Sequence, residues 1–558
     1  MARTPLFDLL QRSLRIAHRA RVTSIPVDDI LGDLAQASVA AHTEAHAHRL
    51  SRRQFVTGAS AAATVVALDA CLPHRRTATT VAASRTHASV LVVGAGIAGL
   101  TTAYRLQQHG IHVRVIEAQE RVGGRMFSLR NAFRDGQVCE LGGELIDTGH
   151  THIRALAEEL GIALDDLRIS DAGVDTDVWY FGGARRTHAE VIHALVPVAA
   201  RLAADRATWG DDFDPTYRAP SGAEPLDRMS IAEWLDRVGV QGWIRELLNV
   251  GYTTEYGLPI DRQSALNLLT MIELRGDDFK IYGVSDERFH VHGGNDTIPH
   301  TLAQRLGGAV TMGRALSAVT MRADGMYECH FGTGASTWST TASHVVLAIP
   351  FTTLRDVHLD IPLSEVKQRA IRELGYGKNA KLMVGFSDRV WRTQHHSNGS
   401  MLTSLPFQLT WETSRGQSGP SGILTNFTGD TAAMALANGT AEEQAHRMVR
   451  DLDQVFPGSA AAHTGMTAVR FHWPSFPWTR GSYASYLVGQ WTSIRGAEGE
   501  SVGQLYFAGE HCSKAAQGFM EGGCETGEQA AADILATLGI SVQRPSARRL
   551  LRTLYEAA

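Results

Sequence analysis

A run of closely spaced glycines, GAGIAG at residues 94–99, has the residue types and spacing that bind the diphosphate of a dinucleotide. In such a run the first glycine makes a tight turn, the second admits the backbone to a pyrophosphate and the third lets a helix pack on a strand. A carboxylate further along, here Glu117, accepts hydrogen bonds from ribose hydroxyls. The residues predicted to contact a dinucleotide in this region are Gly94, Gly96, Ile97, Ala98, Gly99, Glu117 and Ala118.

The elements around the glycines are those that this chemistry requires. Residues 89–93 are a short apolar run typical of a buried parallel strand, residues 100–110 have a helical pattern that ends at Gly110, and residues 112–118 indicate a second strand. The N-terminus of the helix would present its unpaired N–H groups and positive dipole to the phosphates. The order of strand, glycine loop, helix, strand and acid therefore predicts a Rossmann-type dinucleotide-binding unit.

Further motifs follow along the chain. They are Gly123-Gly124-Arg125, Cys139-Glu140-Leu141-Gly142-Gly143, His292-Gly293-Gly294-Asn295, Leu316-Ser317-Ala318-Val319, the apolar residues 345–350, and Ala508-Gly509-Glu510 leading into Gly518-Phe519-Met520. With these motifs the sequence resembles the flavin-containing amine oxidase family, which includes monoamine oxidases, polyamine oxidases and L-amino-acid oxidases. The resemblance extends over about residues 88–540 and implies an FAD cofactor.

The resemblance assigns further FAD contacts. Arg125 would lie along the pyrophosphate, Val319 would meet the adenine through its backbone, and Glu510 would contact the ribityl–phosphate part. The backbone N–H of Met520 would bind the flavin C2 carbonyl, and the helical run from Glu525 would direct its positive end at the same edge. The set that the resemblance adds is Gly124, Arg125, Gly142, Gly143, Glu144, Val319, Gly509, Glu510, Gly518, Phe519 and Met520.

Three residues are predicted to act in catalysis, Lys381, Tyr483 and Phe519. In the family a lysine holds a water against flavin N5, and Lys381 stands where that lysine does, at the start of a strand pattern; Lys378 is the alternative. Tyr483 and Phe519 match two aromatic walls perpendicular to the flavin face, with phenylalanine in place of the tyrosine typical of monoamine oxidases. The alternative for both is an ordinary aromatic core. A water-poor aromatic pocket favours the neutral amine, whose lone pair drives hydride loss.

The substrate is predicted to be an amine without a carboxylate. L-amino-acid oxidases of the family hold the carboxylate with an arginine two residues after the glycine pair, where this chain has Leu145. Glu144 and Asp147 make the region acidic, which suits a second cationic group, although Glu144 has the alternative of a structural acid bonded to backbone or flavin. Arg275 and Arg480 stay candidates for a carboxylate clamp.

The predicted function is FAD-dependent oxidative deamination of a primary or secondary amine (monoamine, diamine or polyamine), giving an imine or aldehyde, ammonia or an amine, and hydrogen peroxide. The alternatives are an L-amino-acid oxidase, a flavin desaturase, which needs neither the lysine nor the aromatic pair, and a flavin-holding protein without turnover. Some family members attach FAD through a cysteine where this chain has Ser482, so we expect non-covalent FAD.

The predicted fold class is α/β, a two-domain architecture with a Rossmann-type FAD-binding domain and a discontinuous α+β substrate domain. The FAD-binding domain is expected to comprise residues 87–150, 290–350 and 480–542, and the substrate domain residues 151–289 and 351–479. The remaining segments are an N-terminal extension at 1–50, a signal and linker at 51–86 and a C-terminal tail at 543–558.

Residues 51–68 resemble a twin-arginine export signal. Arg52 and Arg53 precede an uncharged, alanine-rich run that is shorter than the roughly 20 residues a membrane anchor needs. Cys71 follows in a segment that half resembles a lipoprotein cleavage site. We therefore expect export through the twin-arginine machinery to the periplasm or the outside of the cell, with lipid attachment at Cys71 left open.

Composition restricts the partners. The chain has 558 residues, 44% of them hydrophobic, so it can bury the cores of more than one domain. Its net charge is −5, so nothing favours a nucleic-acid partner. The 5 cysteines are scattered, and the cluster His42, His46 and His48 lacks the further ligands of a metal site, so neither disulfides nor a metal is predicted. The expected partners are a small amine and dioxygen, and a homodimer is left open.

Overall fold

The computed structural model describes Ala17, Ala20 and Val27 and the ranges 89–209, 213–271, 285–332 and 337–541. The export-signal segment, the histidine cluster, Cys71, Arg275 and the tail at 543–558 lie outside the described residues.

Strands come from every part of the described chain. They are β1 (Val90–Val93), β2 (Val113–Ile116), β3 (Ser128–Leu129), β4 (Cys139–Glu140), β5 (Leu164–Asp166), β6 (Val178–Phe181), β7 (Ala184–Arg186), β8 (Phe289–Val291), β9 (Val310–Thr311), β10 (Leu316–Met321), β11 (Tyr327–Phe331), β12 (Trp338–Ala342), β13 (His344–Leu347), β14 (His358–Asp360), β15 (Asn379–Phe386), β16 (Met401–Thr403), β17 (Leu409–Glu412), β18 (Gly422–Gly429), β19 (Ala468–His472) and β20 (Leu505–Phe507).

Helices alternate with these strands. They are α1 (Ile97–Gln108), α2 (Thr151–Leu160), α3 (His188–Arg206), α4 (Glu224–Asp227), α5 (Ile231–Val238), α6 (Gly242–Tyr256), α7 (Ala265–Met271), α8 (Thr297–Leu306), α9 (Phe351–Leu354), α10 (Glu365–Glu373), α11 (Val390–Thr393), α12 (Asp430–Ala435), α13 (Ala441–Leu452), α14 (Ser459–His463), α15 (Gln490–Ser493) and α16 (Met520–Thr537).

A parallel five-stranded sheet lies at the centre of the nucleotide-binding part, in the order β20-β13-β1-β2-β9. β1 pairs with β2 on one side and with β13 on the other, so strands far apart in sequence are neighbours in the sheet. All of β1 is buried, because helices cover a parallel sheet on both faces. The predicted α/β class with a Rossmann-type unit is confirmed by this sheet.

A seven-stranded mixed sheet in the order β19-β15-β18-β17-β16-β6-β7 forms the other large layer. Its strands come from both pieces of the predicted substrate domain, because the hairpin β6–β7 joins through a parallel pairing of β6 with β16. The described part of residues 151–289 contains mainly helices, and the hairpin β6–β7 is its contribution to this sheet. β15 and β18 are buried along their whole lengths, which makes them the middle of this layer.

Two smaller pairings cross the predicted domain boundaries. β14 joins the sheet of β10, β11 and β12 by pairing with β10, on the other side of the expected boundary at residue 350. β5 pairs with β8, across the expected boundary at residue 289. The domain limits stay predictions, and these strands connect the parts that the limits separate. Among the described residues no helix is long and apolar enough to cross a membrane.

The glycine-rich segment near the C-terminus enters its helix earlier than the sequence pattern indicated. α16 begins at Met520 and contains Gly522, Gly523 and Gly527. A Cβ at position 527 would lie 2.4 Å from Ala98 O, so glycine allows α16 to contact α1 closely. Tertiary contact therefore outweighs the low helix propensity of these glycines.

Candidate active site

A cavity of about 340 Å³ is lined by segments from both ends of the chain. Its lining contains most of the residues that the sequence singled out, namely Gly94, Gly96, Ile97, Ala98, Glu117, Ala118, Gly124, Arg125, Gly142, Gly143, Glu144, Lys381, Tyr483, Gly509, Glu510, Gly518, Phe519 and Met520. Gly99 and Val319 are outside the lining. Gly99 packs against Gly94, where a Cβ would lie 2.0 Å from the carbonyl oxygen, and Val319 is fully buried in β10 while Leu316 of the same strand lines the cavity.

The dinucleotide end of the cavity is built from backbone. Gly94 has φ +105°, a conformation that favours glycine, and its N–H donates to Ile116 O at 2.8 Å. The nearest atom that a Cβ on Gly96 would meet is Gly124 Cα, 4.0 Å away. Two glycine backbones thus border this part of the cavity, which leaves room for the close approach of a phosphate group.

Two helices begin at the cavity without a side-chain cap. Neither α1, preceded by Gly96, nor α16, preceded by Phe519, receives a hydrogen bond from a capping side chain. The first N–H groups of a helix have no partner within the helix, so these termini offer donors and positive partial charge to a bound group. The glycine cradle and the two uncapped termini fit the diphosphate and the electron-rich edge of a flavin in FAD.

Glu117 is held in place at this end by backbone donors. Its Oε2 accepts from Ala95 N–H at 2.6 Å and its Oε1 from Gln119 N–H at 2.9 Å. The carboxylate is buried at the end of β2 and lines the cavity. This position suits the predicted contact with ribose hydroxyls, because a carboxylate oxygen can accept more than one hydrogen bond.

Arg125 and Glu510, both predicted to bind FAD, bind each other. Arg125 Nη1 donates to Glu510 Oε1 at 2.6 Å and to Ser482 O at 3.0 Å. Glu510 Oε2 also accepts from Gly518 N–H at 2.8 Å. The ion pair therefore joins three separate loops around the cavity.

Lys381 points into the same cavity from β15. Its buried ammonium donates to Glu140 O at 3.1 Å, to Gly142 O at 2.8 Å and to Glu144 Oε2 at 2.8 Å. An ammonium group has three donors, so these acceptors engage all of them. The alternative, Lys378, is half-buried and lies outside the cavity lining.

Glu144 joins its own loop to the seven-stranded sheet, which carries Lys381 on β15 and Trp411 on β17. Its Oε1 accepts from Trp411 Nε1 at 2.9 Å and from Thr413 Oγ1 at 2.7 Å. Burial acts to raise the pKa of Glu144, but the charge of Lys381 and the hydrogen bonds outweigh it and lower the pKa from its ordinary value. The sequence left two interpretations of Glu144, a contact to a cationic group of the substrate or a structural acid bonded to backbone or flavin. This geometry favours a structural acid, but one bonded to the side chains of Lys381, Trp411 and Thr413.

Aromatic side chains line the cavity. The predicted pair is present: the Tyr483 hydroxyl donates to Glu255 O at 2.7 Å, and Phe519 lies at the start of α16. Trp411 and Phe427 complete the walls, with ring centroids 5.5 Å apart. Sequence reasoning missed these two. Phe427 lies opposite Lys381 in the pairing of β15 with β18, and Trp411 lies opposite Thr425 in the pairing of β17 with β18, neither of which a local sequence pattern shows.

The residues considered for substrate binding have different positions. Leu145 lines the cavity, whereas Asp147 is buried outside the lining and accepts from Ser285 Oγ at 2.8 Å. Arg480 lines the cavity and forms an ion pair with Asp356. Asp147 therefore contributes no acid to the cavity wall itself.

Ser482 occupies the position considered for covalent attachment. Its hydroxyl donates to Asn379 Oδ1 at 2.6 Å. The cysteines that the structure describes are Cys139, Cys329, Cys512 and Cys524, and all are free thiols.

Comparison with known proteins places the chain among flavoenzymes. Residues 97–535 match the model of the flavin containing amine oxidoreductases. The putative flavin-containing monoamine oxidase AofH of Mycobacterium tuberculosis is 26% identical over 464 residues, covering 80% of this chain and 97% of the relative. The putative L-amino-acid oxidase YobN of Bacillus subtilis is 23% identical over 460 residues, covering 80% and 94%. The structure of cyclohexylamine oxidase from Brevibacterium oxydans IH-35A has a TM-score of 0.70 at 21% identity, covering 81% and 99%, which shows a shared fold.

Replacing Lys381 alone is expected to destabilise the protein. Lys381→Met leaves Glu144 as a buried charge without its ionic partner, and such a loss costs about 3–5 kcal/mol of the free energy of unfolding. In Lys381→Met/Glu144→Gln the remaining group is neutral, so we expect most of the loss to be recovered. Urea unfolding of the single and double variants measures both values.

Lys378→Met is the matched control, because it removes a lysine of the same segment outside the cavity. It should change the free energy of unfolding by less than about 0.5 kcal/mol, as is usual for surface substitutions. Equal losses in the single and double Lys381 variants would contradict the account of the pair.

Proposed function

Because residues 97–535 match its model, the chain belongs to the flavin-containing amine oxidoreductase family, and from this we propose that it oxidises an amine that carries no carboxylate. FAD is the cofactor of this family, and dioxygen is the proposed electron acceptor. The substrate loses two hydrogens from its C–N unit to give an imine, and water converts the imine to a carbonyl compound with release of ammonia or a smaller amine.

The observation that carries the proposal is the pairing of the cations around the cavity. Of the four cationic side chains in its described lining, Arg125 pairs with Glu510, Lys381 with Glu144 and Arg480 with Asp356. The fourth, Arg314, adjoins the dinucleotide end, where its backbone N–H donates to Glu117 O at 2.8 Å. At Arg125, Lys381 or Arg480 a substrate carboxylate would have to displace an existing acid. Leu145 stands where the clamp arginine would be.

The aromatic walls support the choice of a neutral amine. Trp411 and Phe427 are buried, and with Tyr483 and Phe519 they line the cavity with aromatic surface. An apolar environment disfavours the charged ammonium form, so the amine is held with its lone pair available. FAD, when bound, would accept two electrons from the amine. Dioxygen would then reoxidise the reduced flavin and form hydrogen peroxide.

Lys381 is the proposed residue for the step with dioxygen. It lies among the aromatic walls, 5.3 Å from the centroid of the Trp411 ring, and it is buried. For Lys381 to hold a water, one of its three present acceptors must give way. Gly142 and Glu144 line the cavity, so a lysine that keeps either of these acceptors stays at the cavity.

The test is a peroxide assay on the FAD-loaded enzyme with monoamines, diamines, polyamines and L-amino acids. We expect peroxide with at least one amine and little with L-amino acids, because three of the four cations in the described lining are paired with acids and the fourth, Arg314, adjoins the dinucleotide end. Peroxide with L-amino acids alone would overturn the proposal in favour of an L-amino-acid oxidase. Failure of every amine and amino acid to reduce the flavin anaerobically would favour a desaturase or a protein without turnover.

We propose that FAD is bound non-covalently. The position considered for attachment is Ser482, whose hydroxyl lacks the reactivity of a thiolate. Denaturation with trichloroacetic acid should release all yellow colour into the supernatant. Flavin that stays with the precipitated chain would contradict the proposal, and free FAD mixed with the denatured chain is the control.

We also propose that the protein is exported in folded form. The support is the sequence around Arg52 and Arg53 and the need to insert FAD into a folded chain. Replacing both arginines with lysine should retain the protein in the cytoplasm, which cell fractionation and immunoblotting measure. An unchanged distribution would refute the twin-arginine route.

A further inference from the structure

We infer that His150 is a positioning residue that sets the angle of the Phe519 ring and thereby the shape of the amine that the site accepts. The inference rests on the proposed function, because that function makes Phe519 a wall of the substrate site. His150 matches none of the sequence motifs, and it comes next to Phe519 only through the fold.

The two rings are in direct contact. Their centroids are 4.9 Å apart and their planes meet at 63°, an edge-to-face arrangement that favours one relative angle. His150 is 3% exposed and lies outside the cavity lining, whereas Phe519 lines the cavity. His150 therefore supports the phenylalanine ring from the side away from the substrate.

The imidazole is itself fixed. Its Nδ1 accepts from Asp147 N–H at 3.0 Å, and its Nε2 lies 3.3 Å from Asp147 Oδ2. Asp147 is held in turn by Ser285 Oγ and by Glu287 N–H, each 2.8 Å from its Oδ1. Rotation of the imidazole would break these contacts.

A second contact joins the first turn of α2, which follows His150, to the side chain of Glu521, two residues after Phe519. Glu521 accepts from His152 N–H and from Ile153 N–H, both at 2.9 Å. A carboxylate is stabilised at the N-terminus of a helix, so the first turn of α2 holds Glu521 firmly. His150 thus contacts the Phe519 ring, and the N–H groups of His152 and Ile153 hold Glu521, two residues further along the chain.

The consequence is a difference between amines of different shape. A wall at a fixed angle fits a flat aromatic ring and has less effect on a compact alkyl group. Loss of the His150 ring frees the Phe519 ring to rotate, so binding of an aromatic amine should weaken while binding of a small aliphatic amine should change little.

The test uses two amines without a hydrogen on the carbon that bears nitrogen, α,α-dimethylbenzylamine and tert-butylamine, so that neither is oxidised. Their dissociation constants are measured on the FAD-loaded enzyme from the change in visible flavin absorption. His150→Asn keeps an acceptor for Asp147 N–H and a residue suited to the helix N-cap, and it removes the ring. We expect the dissociation constant of the aromatic amine to rise by about 3- to 10-fold, the range of one aromatic contact, and that of tert-butylamine by less than about 2-fold.

His463→Asn is the matched control. His463 is a buried histidine whose ring lies 5.7 Å from that of Phe386, and it is outside the cavity lining. The His463→Asn variant should leave both dissociation constants unchanged. If His150→Asn leaves the ratio of the two dissociation constants unchanged, the inference is overturned and the proposed function is not. If the wild-type protein binds neither amine and oxidises no amine, the proposed function is overturned as well.

If His150→Asn does not fold, the ratio is measured in Phe519→Leu and His150→Phe. The first removes the wall and the second keeps a ring behind it. Loss of selectivity in the first and its retention in the second support the inference. Any other combination overturns it.

Discussion

The close contact between α1 and α16 determines where everything else in the site can lie. A Cβ at Gly523 would come 2.7 Å from Ile97 Cγ2, and Thr102 Oγ1 donates to Gly527 O across 425 positions of sequence. Because α1 and α16 touch near their beginnings, their uncapped N-termini face one cavity. The cavity is therefore lined by segments more than 400 positions apart in the chain, and the parallel sheet that contains β1 and β20 holds those segments together.

Ion pairs then connect the cofactor loops to the rest of the cavity. Arg125–Glu510 joins two cofactor segments, and Lys381–Glu144 joins a cofactor segment to the substrate sheet. A buried pair is tolerated only with good geometry and further hydrogen bonds, and Glu144 has them from Trp411 and Thr413. The same charges that could contact ligands thus fix the relative positions of the two layers.

Much of this site could be predicted from the sequence, but the predictions differ in kind. The glycines at 94–99 and Glu117 were predictable because their roles depend on backbone geometry within one strand–helix–strand unit. Lys381 was placed from the start of a strand pattern, and it lines the cavity. Trp411, Phe427 and His150 were not found, because each enters the site through a neighbour that is distant in sequence, such as Phe427 opposite Lys381.

The sequence by itself determined the dinucleotide unit, the α/β class and the order of the cofactor segments, since short-range spacing sets turns, helices and strands. Only the tertiary structure decided which charges meet. Glu144 and Lys381 are 237 positions apart, and no local pattern indicates that one neutralises the other. The physical reason is that a backbone turn depends on adjacent residues, whereas a buried charge takes whichever opposite charge the packing of distant elements brings within hydrogen-bond distance.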